Sequence, residues 1–421
     1  MGELVAHPWR GRVLAELHAR PPGLLATPQR ILHYAFATDP EAAAADREAI
    51  AAFCTERGVR GPAPDERHAR IDLPDVSLRW EGHSEFATYT WEFPAGEGAP
   101  FEPPADRLAG PMRALPQPGP LLVAVDLHLV AEAAAPDGPA AAFGERHLAL
   151  AAAEEDGALI ASTFEADAHG FVRILVVNRN QSAAQAGALV QSVLEIETYR
   201  TLALLGLPQA QEVSPTIRRI EIELPQLLKE IQTSAGQEAN HRLLDRLTAL
   251  AAELEAGAAA SLYRFGATRA YDELVRLRLS AIGETPVSGF PSWSEFLSRR
   301  LNPAMRTCAS TEQRQANLSQ KLARAAQLLR TRVEVDLERQ NHGLLSAMNE
   351  RVRAQLRLQQ TVEGLSVAAI SYYLASLAHL VFEGLHAAGL PVNPTLATAA
   401  IVPLAVIGVA LVVRRIRRRH A

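Results

Sequence analysis

Hydrophobic and polar positions change character twice along the chain. Up to about residue 205 the apolar residues come in short runs bounded by Gly, Pro, Asn and Asp. From about 214 to 363 they recur at helical spacing, and from 365 they fill the chain almost continuously. In the first region 30–37 (Arg-Ile-Leu-His-Tyr-Ala-Phe-Ala) is strand-like. Asp39-Pro40 then opens a helix over 41–57, stopped by Gly58. Segments 76–81 and 85–93 flank Gly82-His83 and predict a hairpin. A Pro/Gly-rich passage, 94–120, reads as loop, 121–130 as a strand, and 158–165 with 171–177 as a second hairpin through Ala168-His169-Gly170. A helix over 182–205 stops at Gly206-Leu207-Pro208. Hairpin strands mixed with a few helices predict an α+β domain over 1–205 with a mostly antiparallel sheet.

Strand signals fade beyond Pro215. The helical region, 214–303, reads as helices over 216–255 and 258–282. A turn-rich break follows, and then a short helix with Ser292 as N-cap and Glu295 completing a capping box. No proline lies between Pro303 and Pro391, so one stalk helix spans 304–363, about 90 Å at 1.5 Å per residue. Leu318, Leu322, Ala326, Leu329, Val333, Leu337, Leu344, Met348, Val352 and Leu356 mark one face, with Gln340 in the gap. Their steps are mostly 4-4-3, closer to an eleven-residue repeat than to a heptad, which predicts a straight or slightly right-handed bundle. Such a stripe must pack on the preceding helices or on copies of itself. A homo-oligomer built on the stalk and the helix that continues it is therefore expected.

The last region predicts a transmembrane hairpin: a first helix over 364–386, a short loop over 387–394 and a second helix over 395–413. The loop has no Lys or Arg. Arg414, Arg415, Arg417, Arg418 and Arg419 follow the second helix, and Arg351, Arg353 and Arg357 precede the first. The positive-inside rule puts both ends and the 414–421 tail in the cytoplasm and the loop outside, as in a bacterial inner-membrane protein. Tyr372, Ser376, His379 and Glu383 share one face of the first helix. That face either lines a pore between several copies or packs on the second helix.

Composition narrows the chemistry. A net charge of -5 over 421 residues does not suit nucleic-acid binding. Two cysteines, Cys54 and Cys308, make neither a disulfide framework nor a zinc site. The N-terminus has no apolar core behind a basic start, so no cleaved signal peptide is expected. Glu16, His18 and Arg20 form one polar cluster and Glu81, His83 and Glu85 another. A His between carboxylates can hold a metal or act as an acid-base pair, but solvated, ion-paired turns are the favoured reading. No phosphate loop, nucleophile elbow or zinc-protease motif occurs. No cofactor and no enzymatic activity are expected.

Several runs carry a family resemblance: Leu-His-Ala-Arg-Pro at 17–21, Leu-Glu-Ile-Glu-Thr-Tyr-Arg at 194–200, Tyr-Arg-Phe-Gly-Ala at 263–267, Leu-Leu-Arg-Thr-Arg-Val at 328–333 and Gln-Thr-Val-Glu-Gly-Leu-Ser-Val-Ala-Ala-Ile-Ser-Tyr-Tyr at 360–373. Over nearly its whole length the chain resembles the uncharacterised, membrane-anchored bacterial proteins of domain of unknown function number 3422. The resemblance implies anchoring and no particular activity. In layout alone the chain is similar to the CorA class of divalent-cation channels. That similarity implies a ring whose first membrane helix lines the pore, with a divalent cation as partner. The loop departs from that class in lacking Gly-Met-Asn, Asn393 being its sole Asn. Two functions are thus expected: a membrane-anchored, non-enzymatic assembly or regulatory protein, or a CorA-like cation channel.

Overall fold

The computed structural model describes residues 6–17, 22–64, 66–94, 99–135, 138–144, 147–234, 236–391 and 393–420. The chain divides into two compact units, Met1–Ser234 with Asp245–Ala325, and Ala235–Leu244 with Ala326–Ala421.

The first unit begins with α1 (Arg10–Leu17), β1 (Gln29–Ala37), α2 (Pro40–Glu56), β2 (His68–Asp72), β3 (Ser77–Gly82) and β4 (Phe86–Pro94). Short helices α3 (Ala105–Leu108) and α4 (Gly110–Arg113) precede β5 (Leu121–Ala131), β6 (Ala149–Ala153), β7 (Ala158–Ala166), β8 (Val172–Asn178) and α5 (Ala183–Leu204). The capping signals read from sequence act as expected. Asp39 accepts from the Ala42 amide at 2.8 Å, and Ser182 with Gln185 forms a capping box at the start of α5. Among the described residues nine strands form one sheet, ordered β2-β3-β4-β1-β5-β8-β7-β6-β9, in which β9 (Thr285–Pro286) arrives from beyond the first helices. The pairs are antiparallel except β5 with β8. A mixed α+β architecture with a largely antiparallel sheet is therefore what the chain adopts.

Both faces of the sheet are covered. Val125, Leu127, Ile160 and Ile174 point to one face and meet Leu189, Val193 and Ile196 of α5 in a continuous core. On the other face Leu32, Phe36, Leu78, Trp80, Tyr89 and Trp91 pack with Ile50 and Phe53 of α2. Strands buried on both sides read as largely apolar runs, which is why β1, β5 and β8 are legible despite Arg30, His33, Asp126, His128 and Arg173 within them. Gly187 marks the closest approach. A Cβ there would overlap the Gly23 carbonyl oxygen, because the segment before β1 lies against α5, where the Leu25 amide donates to Ala183 O at 3.0 Å.

Gly206-Leu207-Pro208 does not stop the helical structure. Leu205 is itself helical, and α6 (Gly206–Thr233) follows at once. Pro208 falls in its first turn, where no amide donor is needed. The break expected near 255–258 is replaced by an earlier one: α6 ends at Thr233, Gly236 takes φ 96°, and α7 (Gln237–Ile282) is continuous through Glu255. Neither a short helix at Ser292 nor a boundary at Pro303 appears. A single helix, α8 (Trp293–Ala387), covers the stalk and the first apolar helix together. Ser292 Oγ accepts from Glu295 N at 3.2 Å, and Glu284 accepts from the Trp293 and Ser294 amides at 3.0 and 2.8 Å. The root of α8 belongs to the sheet core: Trp293, Phe296, Leu297 and Leu301 are buried there beside Val275 and Leu279 of α7.

Within this unit α6, α7 and α8 are tied side by side. Arg314 of α8 grips Glu221 of α6 at 2.8 and 3.0 Å, Arg246 of α7 meets Glu230 of α6 at 2.8 Å, and Arg269 of α7 pairs with Glu312 of α8. Along α8 the buried positions are Leu297, Leu301, Ala304, Cys308, Thr311, Gln315, Leu318, Leu322 and Ala325. They alternate steps of four and three, a seven-residue repeat, and Ile217, Ile220, Leu224, Leu227 and Ile231 of α6 do the same. The 4-4-3 stripe departs from this seam at Ala326, since Ala325 is the buried residue there.

In the second unit, α8 ends at Ala387 and α9 (Pro394–His420) begins after a short turn. Gly389 at φ 88° and a hydrogen bond from the Leu390 amide to Leu385 O close α8, and Pro394 opens α9. Both α8 and α9 contain segments long and apolar enough to cross a membrane.

Replacing Gly187 by Ala is expected to lower stability by about 2 kcal/mol through overpacking. Gly257→Ala, whose Cβ would meet only Gln315 Nε2 at 3.9 Å, leaves it unchanged or higher. Denaturant titration followed by tryptophan emission separates the two.

Candidate functional site

β-Strand alternation sorts the polar residues of the β3–β4 hairpin. Trp80 points toward α2 and donates its indole N–H to buried Asp46 at 2.8 Å, where the Tyr89 hydroxyl also donates. Burial raises the Asp46 pKa against both hydrogen bonds. Arg79, Glu81, Thr88 and Thr90 point the other way, with His83, and together with His33 of β1 and Gln191, Glu195 and Thr198 of α5 line a cavity of about 30 Å³.

His33 is the centre of this polar half-face. It lies opposite Thr90 in the β1–β4 register, with Nδ1 at 2.8 Å from Thr90 Oγ1 and Nε2 at 3.0 Å from Thr198 Oγ1. Burial, with help from the Arg79 charge, pushes its pKa down to about 3. The charged groups around it are matched. Glu81 lies 3.6 Å from His83 Nε2 and 3.9 Å from Arg79 Nε, and His83 stacks on Phe86 at 4.1 Å. Glu85 pairs with Arg264 of α7, and Glu195 with Arg278 of α7. Tyr271 is pushed above the usual phenol range by burial and by its hydrogen bond to Glu85. Of the sequence cluster, Glu81 and His83 lie together while Glu85 turns to Arg264 of α7, and each carboxylate already faces a basic side chain. The cavity has room for about one water. Its chemistry is that of a tie between the hairpin, α5 and α7. Of the other cluster, His18 and Arg20 lie outside the described residues, as does the side chain of Glu16. Among the described residues no group of three or more His, Cys, Asp or Glu is placed to hold a metal ion.

A second buried polar group was not singled out by sequence. Arg30 donates to both Asp126 oxygens, Nε to Oδ1 at 2.9 Å and Nη2 to Oδ2 at 2.8 Å, and its third nitrogen donates to Pro103 O at 2.6 Å. His128 Nε2 accepts from the Phe101 amide at 3.3 Å and sits 3.5 Å from Asp126. Burial works to raise the Asp126 pKa, but His128 and Arg30 overcome it and hold the carboxyl below its usual range. The signal was available: an Arg and an Asp inside otherwise apolar strands need each other. His169, in the β7–β8 turn, stands 3.7 Å from Asp106.

In the second unit the expected stripe divides. His379 Nδ1 lies 2.9 Å from Thr398 Oγ1 of α9, and the Thr398 hydroxyl also donates to Pro394 O at 2.7 Å. Ser376 and His379 are half-buried, whereas Tyr372 and Glu383 are exposed. Within the apolar segment of α8 from Leu365 to Ala387 the most buried position is Ser371, one residue off the stripe, at 5 % exposure. Arg414 and Arg415 are exposed, and Arg417, Arg418 and Arg419 continue α9 with side chains outside the described set.

A family model described as Protein of unknown function (DUF3422) matches residues 5–420. The chain belongs to the DUF3422 family. No curated protein and no solved structure matches it. The match runs through the sheet, α5 to α8 and both apolar segments, so the family comprises this whole arrangement rather than one part of it.

Two measurements test the buried polar groups of this DUF3422 protein. An imidazole whose folded pKa lies below its unfolded value contributes stability that is complete above about pH 6.5. That contribution is lost as pH falls toward 3. Replacing His33 by Gln is expected to remove about one proton, roughly 1.4 kcal/mol per pH unit, from the slope of stability between pH 6 and 4. Asp126→Asn, which strands the Arg30 charge, is expected to cost about 3 kcal/mol, and the double change Arg30→Met with Asp126→Leu to cost less. Denaturation midpoints of the three proteins check this.

Proposed function

We propose that this protein is a membrane-anchored homo-oligomer with no catalytic step of its own, in which the sheet unit serves a partner or regulatory ligand in the cytoplasm. The observation that carries the reading is the exposed apolar face of α8. Leu337, Leu344, Met348, Val352 and Leu356 are 41 to 64 % exposed along one helix that continues into an apolar segment of membrane-crossing length. A lone helix does not keep such a face in water, so copies of α8 bury it against each other. The apolar segments of α8 and α9 cross the bilayer, with the loop outside and Arg414, Arg415, Arg417, Arg418 and Arg419 held at the inner leaflet. The self-neutralised cluster around His33 and Glu81 supports the non-enzymatic half of the reading.

A second reading, a CorA-like cation channel with the first membrane helix lining the pore, is favoured by Tyr372 and Glu383, which stay exposed on one face of that helix. The His379–Thr398 contact favours the first reading, since it turns the deepest ionisable group toward α9.

In the membrane fraction, Val352→Cys is expected to form a disulfide-linked dimer under mild oxidation, because Cys54 and Cys308 are buried. Combined Leu344→Gln, Met348→Gln and Val352→Gln is expected to reduce the detergent-solubilised mass to that of a monomer. A monomer before mutation, or release by alkaline extraction, overturns the proposal. Divalent-cation flux into proteoliposomes that is abolished by Glu383→Ala replaces it with the channel.

A further inference from the structure

Between α7 and α8, within the first unit, lies a cavity of about 740 Å³. Its walls are helical, Phe265 to Ser280 on α7 and Ser294 to Glu312 on α8. Along most of its length the floor is aliphatic, made by Val275 and Leu279 of α7 and by Leu297, Leu301 and Met305 of α8. The α8 wall is about 27 Å long at 1.5 Å per residue, so the section averages roughly 27 Å², a third of the roughly 80 Å² that a helix about 10 Å across would need. A single extended chain fits this slot. A helix from a partner or from a second copy does not.

Polar character changes along the slot. On α8, Ser294, Ser298, Asn302 and Arg306 recur every four residues and so form one ridge of its lining. The end near Ser280, Ser294 and Ser298 carries no charge, whereas Arg269, Asp272, Arg276, Arg306 and Glu312 line the other. Arg269 pairs with Glu312, and Asp272 holds Arg276 at 2.7 Å. Three guanidiniums against two carboxylates leave one positive charge in the lining. It belongs to Arg306, which is exposed and has no acidic partner among the described residues. The Arg269–Glu312 pair also fixes the antiparallel register. Seven residues on along α7 and seven back along α8 bring Arg276 level with Met305, so Arg276 and Arg306 stand at one level on opposite walls.

We propose that this slot binds one linear, long-chain carboxylate, its hydrocarbon chain over Leu279, Leu297 and Leu301 and its carboxylate at Arg306, with Arg276 opposite. The surplus of one charge matches a carboxylate, whereas a phosphate monoester brings nearly two. A guanidinium also offers a carboxylate two parallel N–H donors. An extended peptide would lay its amides on aliphatic carbon that cannot partner them. The proposal rests on the reading of the sheet unit as the receiver of a ligand and names that ligand; it needs neither the membrane nor the oligomer.

The test is photolabelling of the full chain in membranes with palmitic acid carrying a mid-chain diazirine, the labelled peptides being mapped by mass spectrometry. Labelling within 275–305 is expected, and the methyl ester of the same probe is expected to label that segment about tenfold less. Arg306→Gln is expected to lower labelling by the acid by about the same factor. Ser280→Trp, at an exposed position beside Leu279, is expected to block the chain without moving the denaturation midpoint. Excess decanoate is expected to compete, and butyrate, the same head with almost no chain, is not. Equal labelling of 275–305 by acid and ester, no loss in Arg306→Gln, or label confined to 365–413 overturns the proposal, the last because the acid then only dissolves in the bilayer. The mass of the solubilised protein separates this from failure of the assembly reading. An oligomer labelled only within 365–413 sinks the slot alone, and a monomer labelled within 275–305 keeps the slot and sinks the oligomer.

Discussion

The burial of the first turns of α8 in the sheet core is the constraint on which the rest depends. Trp293 is fully enclosed, with Phe296, Leu297 and Leu301 beside it. Glu284 and Ser292 satisfy the amides that a buried helix start would otherwise leave open. Aromatic burial of this size is among the largest single contributions a side chain makes to a core. Because of it, α7 and the start of α8 are not an appendage to an N-terminal domain. They complete its sheet with β9 and cover one of its faces, and a boundary at residue 205 cuts through a single core.

The seven-residue spacing then organises what lies above that root. Apolar positions repeating at alternate steps of four and three are buried along α6 and along α8 from Leu297 to Ala325. The ion pair Arg314–Glu221 ties α8 to α6, and Arg246–Glu230 ties α7 to α6. These pairs are partly exposed and contribute little each. Their value is in fixing which helix lies against which. Under the sheet the same logic appears in miniature: the polar half-face around His33 is satisfied by side chains from β1, β3, β4, α5 and α7, so it joins elements that apolar packing alone would let slide.

Much of this was legible in the sequence because it rests on local rules. The two hairpins, the Asp39 and Ser182 caps and the apolar segments of α8 and α9 are set by residues within a few positions of each other. What could not be read depends on distant partners. Arg30 and Asp126 stand 96 residues apart and pair only because β1 lies beside β5. The strand β6, Ala-Leu-Ala-Ala-Ala, has helix-forming residues and no β-branched ones, but small side chains suit a strand buried on both faces. β2, His-Ala-Arg-Ile-Asp, is a charged edge strand. Pro303 misleads because it is exposed, so water can take the carbonyl that its missing N–H leaves free. At the candidate sites, sequence placed Glu81 beside His83 but could not show that Arg79 faces Glu81 and that Arg264 draws Glu85 away to α7. It grouped His379 with Glu383, although only His379 touches α9.

The unbroken backbone of α8 has one more implication, for how members of the family can differ in length. Each inserted or deleted residue rotates every later side chain by about 100° around the axis, whereas seven together leave the phase within about 20° of where it began. Natural variation in the middle of this helix should accordingly come in whole repeats, since any other increment would turn the apolar positions that follow out of line with Leu318, Leu322 and Ala325.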